Sequence, residues 1–489
     1  MKLDALAAAA GLPPPGGEAN VTGFAIDHRK VAPGTVFGAF PGARVNGEDF
    51  IDAAIAAGAV AVVARPQAQV TGAIHIASDE PRRTFARLAA PFFTPVPETI
   101  VAVTGTNGKT STVEMTRQLW RMAGHSAASI GTLGVTTADE SISTGLTTPD
   151  IVTFLGNMAG LAREGVTHVA YEASSHGLSQ FRNEGLRVDA GAFTNLSRDH
   201  LDYHATMEDY FAAKMRLFDE VVADDGAAVV WADDEWSERA VEHVRQRGLR
   251  LLTVGERGDA IRLLARTPTQ LGQTLDIVVD GVGRKIALPL IGAYQAANAL
   301  VSAGLALATG SDPAPVFDAL ARLQPVRGRL ERAAITAAGA PVYVDYAHTP
   351  DAIEAAIAAL RPHLSGRLIT VLGAGGDRDE GKRPEMGRAA CAGSDVVIVT
   401  DDNPRGEDPA VIRRAVMGGC SAIAQEIGDR RAAIAEAIAQ ARRDDIVLIA
   451  GKGHEQGQII GRGETMRVLP FDDVQVAREC SAPAGRIDP

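Results

Sequence analysis

An apolar run, Ile100-Val101-Ala102-Val103, opens into Thr104-Gly105-Thr106-Asn107-Gly108-Lys109-Thr110-Ser111, and a helix-patterned stretch, 110–124, follows. Strand, glycine turn and helix in that order constrain the fold more than any other feature, because they are the opening unit of a parallel α/β sheet. The glycines let backbone N–H groups turn inward around phosphate oxygens, and the helix N-terminus adds positive potential. Lys109 is then placed to reach the β- and γ-phosphates and Thr110 to ligate Mg²⁺. The general phosphate-loop pattern has Gly where this chain has Val103, so the match is partial. A glycine-rich turn with a chance lysine is the plain alternative, and the order of the elements favours nucleotide binding.

The same alternation runs through most of the chain. Residues 1–97 read as a small mixed α/β domain, with strands at 36–40 and 59–64, a helix at 50–59 and a proline-bearing linker at 94–99. Residues 98–328 read as a parallel-sheet domain with the phosphate turn at its start and further strands at 126–134, 168–175 and 191–197. Residues 329–489 repeat the pattern, with strands at 341–350, 368–377, 395–404 and 445–455 that each run into a polar turn. Three α/β domains are expected, the last doubly wound. In such sheets ligands lie beyond the carboxyl ends of the strands, so the polar strand tips are where chemistry belongs.

Glu172 stands at one of these tips, where a hard carboxylate oxygen suits Mg²⁺; a plain surface glutamate is the alternative. Asp199, His200, Asp202 and His204 crowd together after the next tip, ahead of Lys214. Lys214 has Phe211, Met215, Leu217 and Phe218 around it. Taken alone, such a lysine would lie along apolar surface and carry its ammonium to water.

The net charge of -12 argues against a basic face for nucleic acid, but a local Arg/Lys cluster can still hold a small anion. Cys391, Cys420 and Cys480 are widely spaced, which argues against a disulfide framework or zinc site and for the cytoplasm. No apolar run is long enough to span a membrane.

Taken together, 104–110 (TGTNGKT), 172–178 (EASSHGL), 195–204 (NLSRDHLDYH), 345–351 (DYAHTPD), 373–384 (GAGGDRDEGKRP), 402–405 (DNPR) and 451–455 (GKGHE) resemble the Mur ligase family in identity and order. The resemblance implies three domains: 1–97 for a UDP-sugar, 98–328 a P-loop ATPase, and 329–489 a Rossmann-like domain that takes an amino acid and closes over ATP. It implies an ATP-dependent amide-bond ligase of peptidoglycan precursor synthesis, with Mg²⁺ as cofactor and no nucleic acid or membrane as partner. The chain is expected to act as a monomer.

The resemblance also assigns residues. Gly105, Thr106, Asn107, Gly108, Lys109, Thr110 and Ser111 would bind ATP, with Asn298 beside the adenine, Arg329 near the phosphates, Asp345 on the ribose and His348 close by. Lys214 matches a lysine that becomes a carbamate and ligates metal with Thr110, Glu172 and His200. Thr147, Thr148, Ser174, Ser175 and Arg182 match positions that hold a UDP-muramoyl dipeptide, as do Asp27 and His28 in the first domain.

The DNPR stretch resembles that of family members that add meso-diaminopimelate. That amino acid has a distal carboxylate, which an arginine can grip with two parallel hydrogen bonds. Arg405 is the expected specificity residue, with Arg378, Asp402, Asn403, Gly451 and Glu455 around the amino acid. On its own, DNPR would be an ordinary Asp-Asn-Pro turn.

The chain departs from the family in its first domain. Asp27-His28-Arg29 stands for D-S-R, and Gly42-Ala43-Arg44-Val45-Asn46-Gly47-Glu48 stands where a stretch ending in D-G-H is usual. A lysine-adding ligase, another ligase of the same fold and a non-catalytic P-loop regulator remain alternatives. A nicotinamide dehydrogenase is disfavoured, since Gly373-Ala374-Gly375 lacks the third glycine of that motif.

Overall fold

The computed structural model describes residues 1–489 apart from 43–44, 139, 143–146, 201–202, 270, 421 and 483–489. Ala43, Arg44 and Asp202 therefore lie outside the described residues. The chain divides into two compact units: Met1–Arg262 with Asn298–Phe317, and Leu263–Ala297 with Asp318–Pro489.

The first unit begins with a four-stranded parallel sheet whose strands, Gly23–Ala25, Thr35–Gly38, Ala59–Ala64 and Ile74–Ala77, lie in chain order. Ala59–Ala64 is nearly all apolar because it is covered on both faces, as interior parallel strands are. The helix Pro81–Ala89 starts on a proline that pre-sets its first turn, and it buries Phe85 and Leu88.

A larger sheet follows, running Arg250–Gly255, Val222–Trp231, Val188–Phe193, Thr99–Thr104, His168–Glu172, Ala127–Gly131, Gly134–Thr136, Ser141–Ile142. The first six strands are mutually parallel, and the last two turn back antiparallel. Val188–Phe193, Thr99–Thr104, His168–Glu172 and Ala127–Gly131 are consecutive across the sheet. Four carboxyl tips that are distant in sequence thus become neighbours. Between them lie the helices Lys109–Met122 and Ile151–Arg163, the latter capped by Asp150 through the N–H groups of Val152 and Thr153.

The second unit holds a six-stranded sheet in the order Glu331–Ile335, Pro341–Asp345, Ile446–Ala450, Leu368–Leu372, Val396–Val399, Ala424–Glu426. All pairings are parallel except the first. One face buries Ile353, Leu360, Met386, Ala390, Ile412 and Val416; the other buries Ile434, Ile438, Val474 and Ala477. Helices on both faces make this a doubly wound sheet. An antiparallel hairpin, Gly272–Val279 with Val282–Leu288, also belongs to this unit. Its alternating pattern of buried and exposed residues had drawn no expectation from the sequence.

Arg430 and Asp473 tie the helices of that second face together. The guanidinium meets the carboxylate at 2.8 and 2.7 Å and also donates to the Ala450 carbonyl at 3.0 Å, with both side chains out of water. Asp473 holds the Arg430 guanidinium more firmly protonated than usual against the opposing pull of burial. Removing one member leaves a buried charge alone, so Arg430→Ala should destabilise this unit by about 3–5 kcal/mol in urea unfolding. An unchanged transition midpoint would mean that water reaches Asp473.

Candidate functional site

The phosphate turn is braced from the neighbouring strand tip. The Thr106 N–H donates to the Asn195 carbonyl at 3.0 Å and the Asn107 N–H to the Asn195 side-chain oxygen at 2.9 Å. The Thr194 hydroxyl and Asn195 amide both donate to the Asn107 carbonyl, at 2.6 and 3.1 Å. Gly105 and Gly108 adopt φ of 148° and 87°, which favour glycine. A side chain at Gly108 would also strike the Asn298 amide, and one at Gly105 the Thr194 hydroxyl. Asn298 therefore does lie beside the turn. Ser111 is buried in the first turn of the helix.

Two ammonium groups converge on one backbone oxygen. Lys109 Nζ donates to the carbonyls of Gly105 at 2.9 Å and Thr106 at 2.8 Å. Lys214 Nζ donates to the same Gly105 carbonyl at 2.8 Å and sits 4.2 Å from the centre of the Tyr210 ring. Lys214 does not reach water: it is 1% exposed. Burial lowers its amine well below the ordinary lysine value, Lys109 adds to the effect, and Asp199 opposes it. Snorkelling fails because the helix Met207–Arg216 turns this face inward.

Glu172 accepts from the Thr110 hydroxyl at 2.9 Å, the Thr132 N–H at 2.7 Å and the Thr132 hydroxyl at 3.3 Å. It is buried, and Gly131 gives it room. Thr132 continues to the Thr147 hydroxyl at 3.1 Å. Thr148 donates to the Glu172 carbonyl at 2.8 Å and lies 2.9 Å from the Ser174 hydroxyl. Arg182 donates to the Thr148 carbonyl at 2.8 Å. Thr110, Glu172, Thr147, Thr148, Ser174 and Arg182 therefore form one continuous array. Ser175 is buried beside it with no hydrogen-bond partner for its hydroxyl among the described residues.

His200 adopts a left-handed backbone, φ 53°, with its ring 5.0 Å from that of His176 and 6.0 Å from that of Tyr210. His200 and Lys214 thus share Tyr210 as a neighbour. Among the described residues Asp27 and His28 are not part of that array. Arg29 grips Asp27 and holds its carboxyl down to about 2. The His28 ring stacks on Phe50, 4.4 Å between centres. Glu48, which replaces the family histidine, pairs with Arg65 at 2.6 Å.

In the second unit Asp345 accepts from the N–H groups of Leu330 at 2.7 Å and Ala347 at 2.9 Å. Burial raises its carboxyl while Arg329 and those N–H groups pull it down. Arg329 lies 5.0 Å over the Tyr346 ring, and His348 Nδ1 donates to the Tyr346 carbonyl at 2.8 Å. Burial lowers the His348 imidazole.

Nearby strand tips assemble the amino-acid candidates. Asn403 donates to Glu455 at 2.7 Å, and Arg405 donates to the Gly376 carbonyl at 2.9 Å. Asn403 and Arg405 both have left-handed backbones, φ 43° and 50°, a strained turn of the kind that collects at ligand sites. Arg378 is exposed beside Gly375, and Gly375 is also next to Arg405. Asp402 and Gly451 pack against each other. Lys452, fully buried, links the group: its Nζ lies 3.1 Å from Asp402, 2.9 Å from the Asn403 side-chain oxygen and 3.8 Å from Glu455.

Sequence reasoning had quoted Asn195 and Lys452 inside motifs without giving them work. Thr132 and Tyr210 carried no signal, because only strand order and helix facing bring them in.

The chain matches known proteins along most of its length. The Mur ligase middle domain matches residues 103–306, the Mur ligase glutamate ligase domain 328–453, and the Mur ligase family catalytic domain 20–91. The chain belongs to the Mur ligase family. It is 61% identical over 478 residues, 98% of each chain, to the UDP-N-acetylmuramoyl-L-alanyl-D-glutamate–2,6-diaminopimelate ligase of Zymomonas mobilis. It is 51% identical to the ligase of the same name from Bradyrhizobium diazoefficiens, over 93% of each chain. A solved structure of a ligase of that name aligns over 94% of each chain with a TM-score of 0.71 and 33% identity. A MurF ligase of Thermotoga maritima in complex with ADP shares the fold at a TM-score of 0.59 and 22% identity.

The buried amine makes a stability prediction. Its folded pKa lies below the ordinary 10.5, so between those two values the unfolded chain binds the extra proton and stability rises with pH. In CO₂-free buffer Lys214→Met should be more stable than the parent at neutral pH, with the gap narrowing as pH climbs toward 10.5. A gap that stays flat with pH in chemical denaturation would show that the ammonium is not desolvated.

Proposed function

We propose that this protein joins meso-2,6-diaminopimelate to the D-Glu γ-carboxylate of UDP-N-acetylmuramoyl-L-alanyl-D-glutamate. It is an ATP-dependent amide-bond ligase of peptidoglycan precursor synthesis. The observation that carries this reading is the unbroken array from the phosphate turn through Thr110 and Glu172 to Thr148, Ser174 and Arg182. Residues 1–97, with Asp27 and His28, take the UDP-sugar; 98–328 take ATP; 329–489 take the amino acid.

Bound ATP would have its phosphates cradled by the N–H groups of 105–111. The D-Glu γ-carboxylate attacks the γ-phosphorus, ADP leaves, and an acyl phosphate forms. Lys109 lies where its ammonium can neutralise charge that develops on the transferring group. The amine then attacks the acyl carbon and phosphate departs, leaving the amide; the amine's proton goes to solvent or to the departing phosphate.

The oxygen donors Thr110 and Glu172, only 2.9 Å apart, suit a hard cation. With His200 and Lys214 they would hold Mg²⁺, which supplies positive charge at the phosphoryl group. Burial lowers the Lys214 amine and so eases loss of its proton; the neutral amine can add CO₂, its nitrogen bonding the carbon and losing one proton, and the resulting carbamate is the form in which Lys214 would be a metal ligand.

Arg405 would grip the distal carboxylate of diaminopimelate, with Arg378, Asp402, Asn403 and Gly451 around the amino acid and Glu455 on its distal amine. Lysine lacks that carboxylate. The protein works as a monomer in the cytoplasm, where Cys391, Cys420 and Cys480 stay as thiols. No helix among the described residues is long and apolar enough to cross a membrane.

Phosphate release should require the UDP-dipeptide and be much faster with meso-diaminopimelate than with lysine. Equal rates would make this a ligase of broader choice, and no release with any amino acid would remove the ligase reading. Hydrogen bonds to charged groups contribute ~1.5–3 kcal/mol, so Arg405→Ala should raise KM for diaminopimelate about 10- to 100-fold. KM for ATP should hold steady; an unchanged KM for diaminopimelate would remove the specificity role.

A further inference from the structure

The helix Pro81–Ala89 carries three arginines, and they have different fates. Arg83 and Arg87 both bond to Glu184, at 3.0 and 3.1 Å. Arg82 has no carboxylate partner among the described residues. Its guanidinium donates to the Pro41 carbonyl at 3.0 Å and covers the Phe40 ring at 4.9 Å.

The charge of a second cation, Arg182, acts on Arg82. The turn 180–185 is seated on this helix: the Arg83 guanidinium covers the Phe181 ring at 5.6 Å, and Gly185 abuts Ala86 and Ala90. That contact seats the segment bearing Arg182 on the helix bearing Arg82. Arg182 spends its donors on the Thr148 carbonyl and the Gln180 side chain, at 2.8 and 2.7 Å. The nearest acid that acts on it, Asp150, is already occupied capping the helix Ile151–Arg163. Burial and the Arg182 charge both lower Arg82, and both arginines feel the Tyr203 hydroxyl.

Two partly buried guanidiniums on segments packed together, neither paired with a carboxylate among the described residues, are costly unless an anion joins them. Two arginines without a carboxylate partner suit a doubly charged oxyanion. Arg182 also belongs to the array proposed above for the UDP-dipeptide. We propose that Arg82, supplied by the first segment, is a further binding residue for that substrate and closes with Arg182 on one of its anionic groups.

This rests on the reading of Arg182 as a dipeptide residue, and the experiment separates the two. Initial rates would be measured with varied UDP-dipeptide, ATP and diaminopimelate for the parent, Arg82→Gln, Arg82→Lys and Arg87→Gln, with inhibition by UDP alongside. Arg82→Gln should raise KM for the UDP-dipeptide about ten-fold or more while KM for ATP and diaminopimelate hold. Arg82→Lys should recover part of the loss, since charge returns without the fork. Arg87→Gln removes the same charge from the same helix and should leave all three constants in place.

A matching loss of UDP inhibition assigns the diphosphate as the anion. Retained UDP inhibition assigns a carboxylate of the peptide. If the parent turns over the UDP-dipeptide and Arg82→Gln keeps its KM, or if Arg87→Gln raises KM equally, this inference is overturned and the ligase reading stands. If the parent turns over no UDP-dipeptide at all, the ligase reading itself falls. Thermal melting of each variant guards against misfolding, and a normally folded Arg82→Lys decides the matter if Arg82→Gln does not fold.

Discussion

The carbonyl of Gly105 receives two ammonium groups, Lys109 from its own turn and Lys214 from a helix more than a hundred residues on. Much of the first unit is arranged around that convergence. A fully buried lysine needs hydrogen-bond acceptors, and the low dielectric that makes it costly also strengthens the bonds it does form. The Tyr210 face and the Gly105 carbonyl supply them, and Asn195 fixes the turn that presents the carbonyl. A rigid cradle results, with positive charge set where a polyphosphate would place negative charge. Little reorganisation would then be needed during phosphoryl transfer.

Chemistry of this type makes a reactive acyl phosphate, so the protein's task is largely placement and exclusion of water. Each placement is made at the carboxyl tips of parallel strands, where loops can vary while the sheet stays fixed. In the second unit the same principle gathers Asn403, Arg405 and Glu455 around buried Lys452. There the cation is internal scaffolding: it orients two acids and an amide, so that exposed donors such as Arg378 remain for a ligand. The strained backbone at Asn403 and Arg405 is maintained by these contacts.

Much of the fold was legible from the chain. The strands at 99–104, 168–172, 341–345, 368–372 and 446–450 stand where apolar runs met polar turns, because interior parallel strands leave that mark. The hairpin 272–288 was not anticipated, although Asp280-Gly281, both with left-handed backbone, form the two-residue turn that joins its strands. Lys214 reads as an ordinary amphipathic residue by its neighbours alone. Its burial depends on which way one helix faces, a fact stored in the packing of Tyr210 and Phe218 rather than in local spacing.

The sequence by itself determined the alternation of strands and helices, the glycine turn with its lysine, and the set of oxygen and guanidinium groups at strand tips, because periodicity and steric demands are local. Tertiary structure alone decided which tips are neighbours, that Thr132 completes the shell of Glu172, that Arg82 is left uncompensated while Arg83 and Arg87 share Glu184, and that Lys452 is internal. Sheet order and helix docking set those contacts, and neither is written in any stretch of chain short enough to read alone.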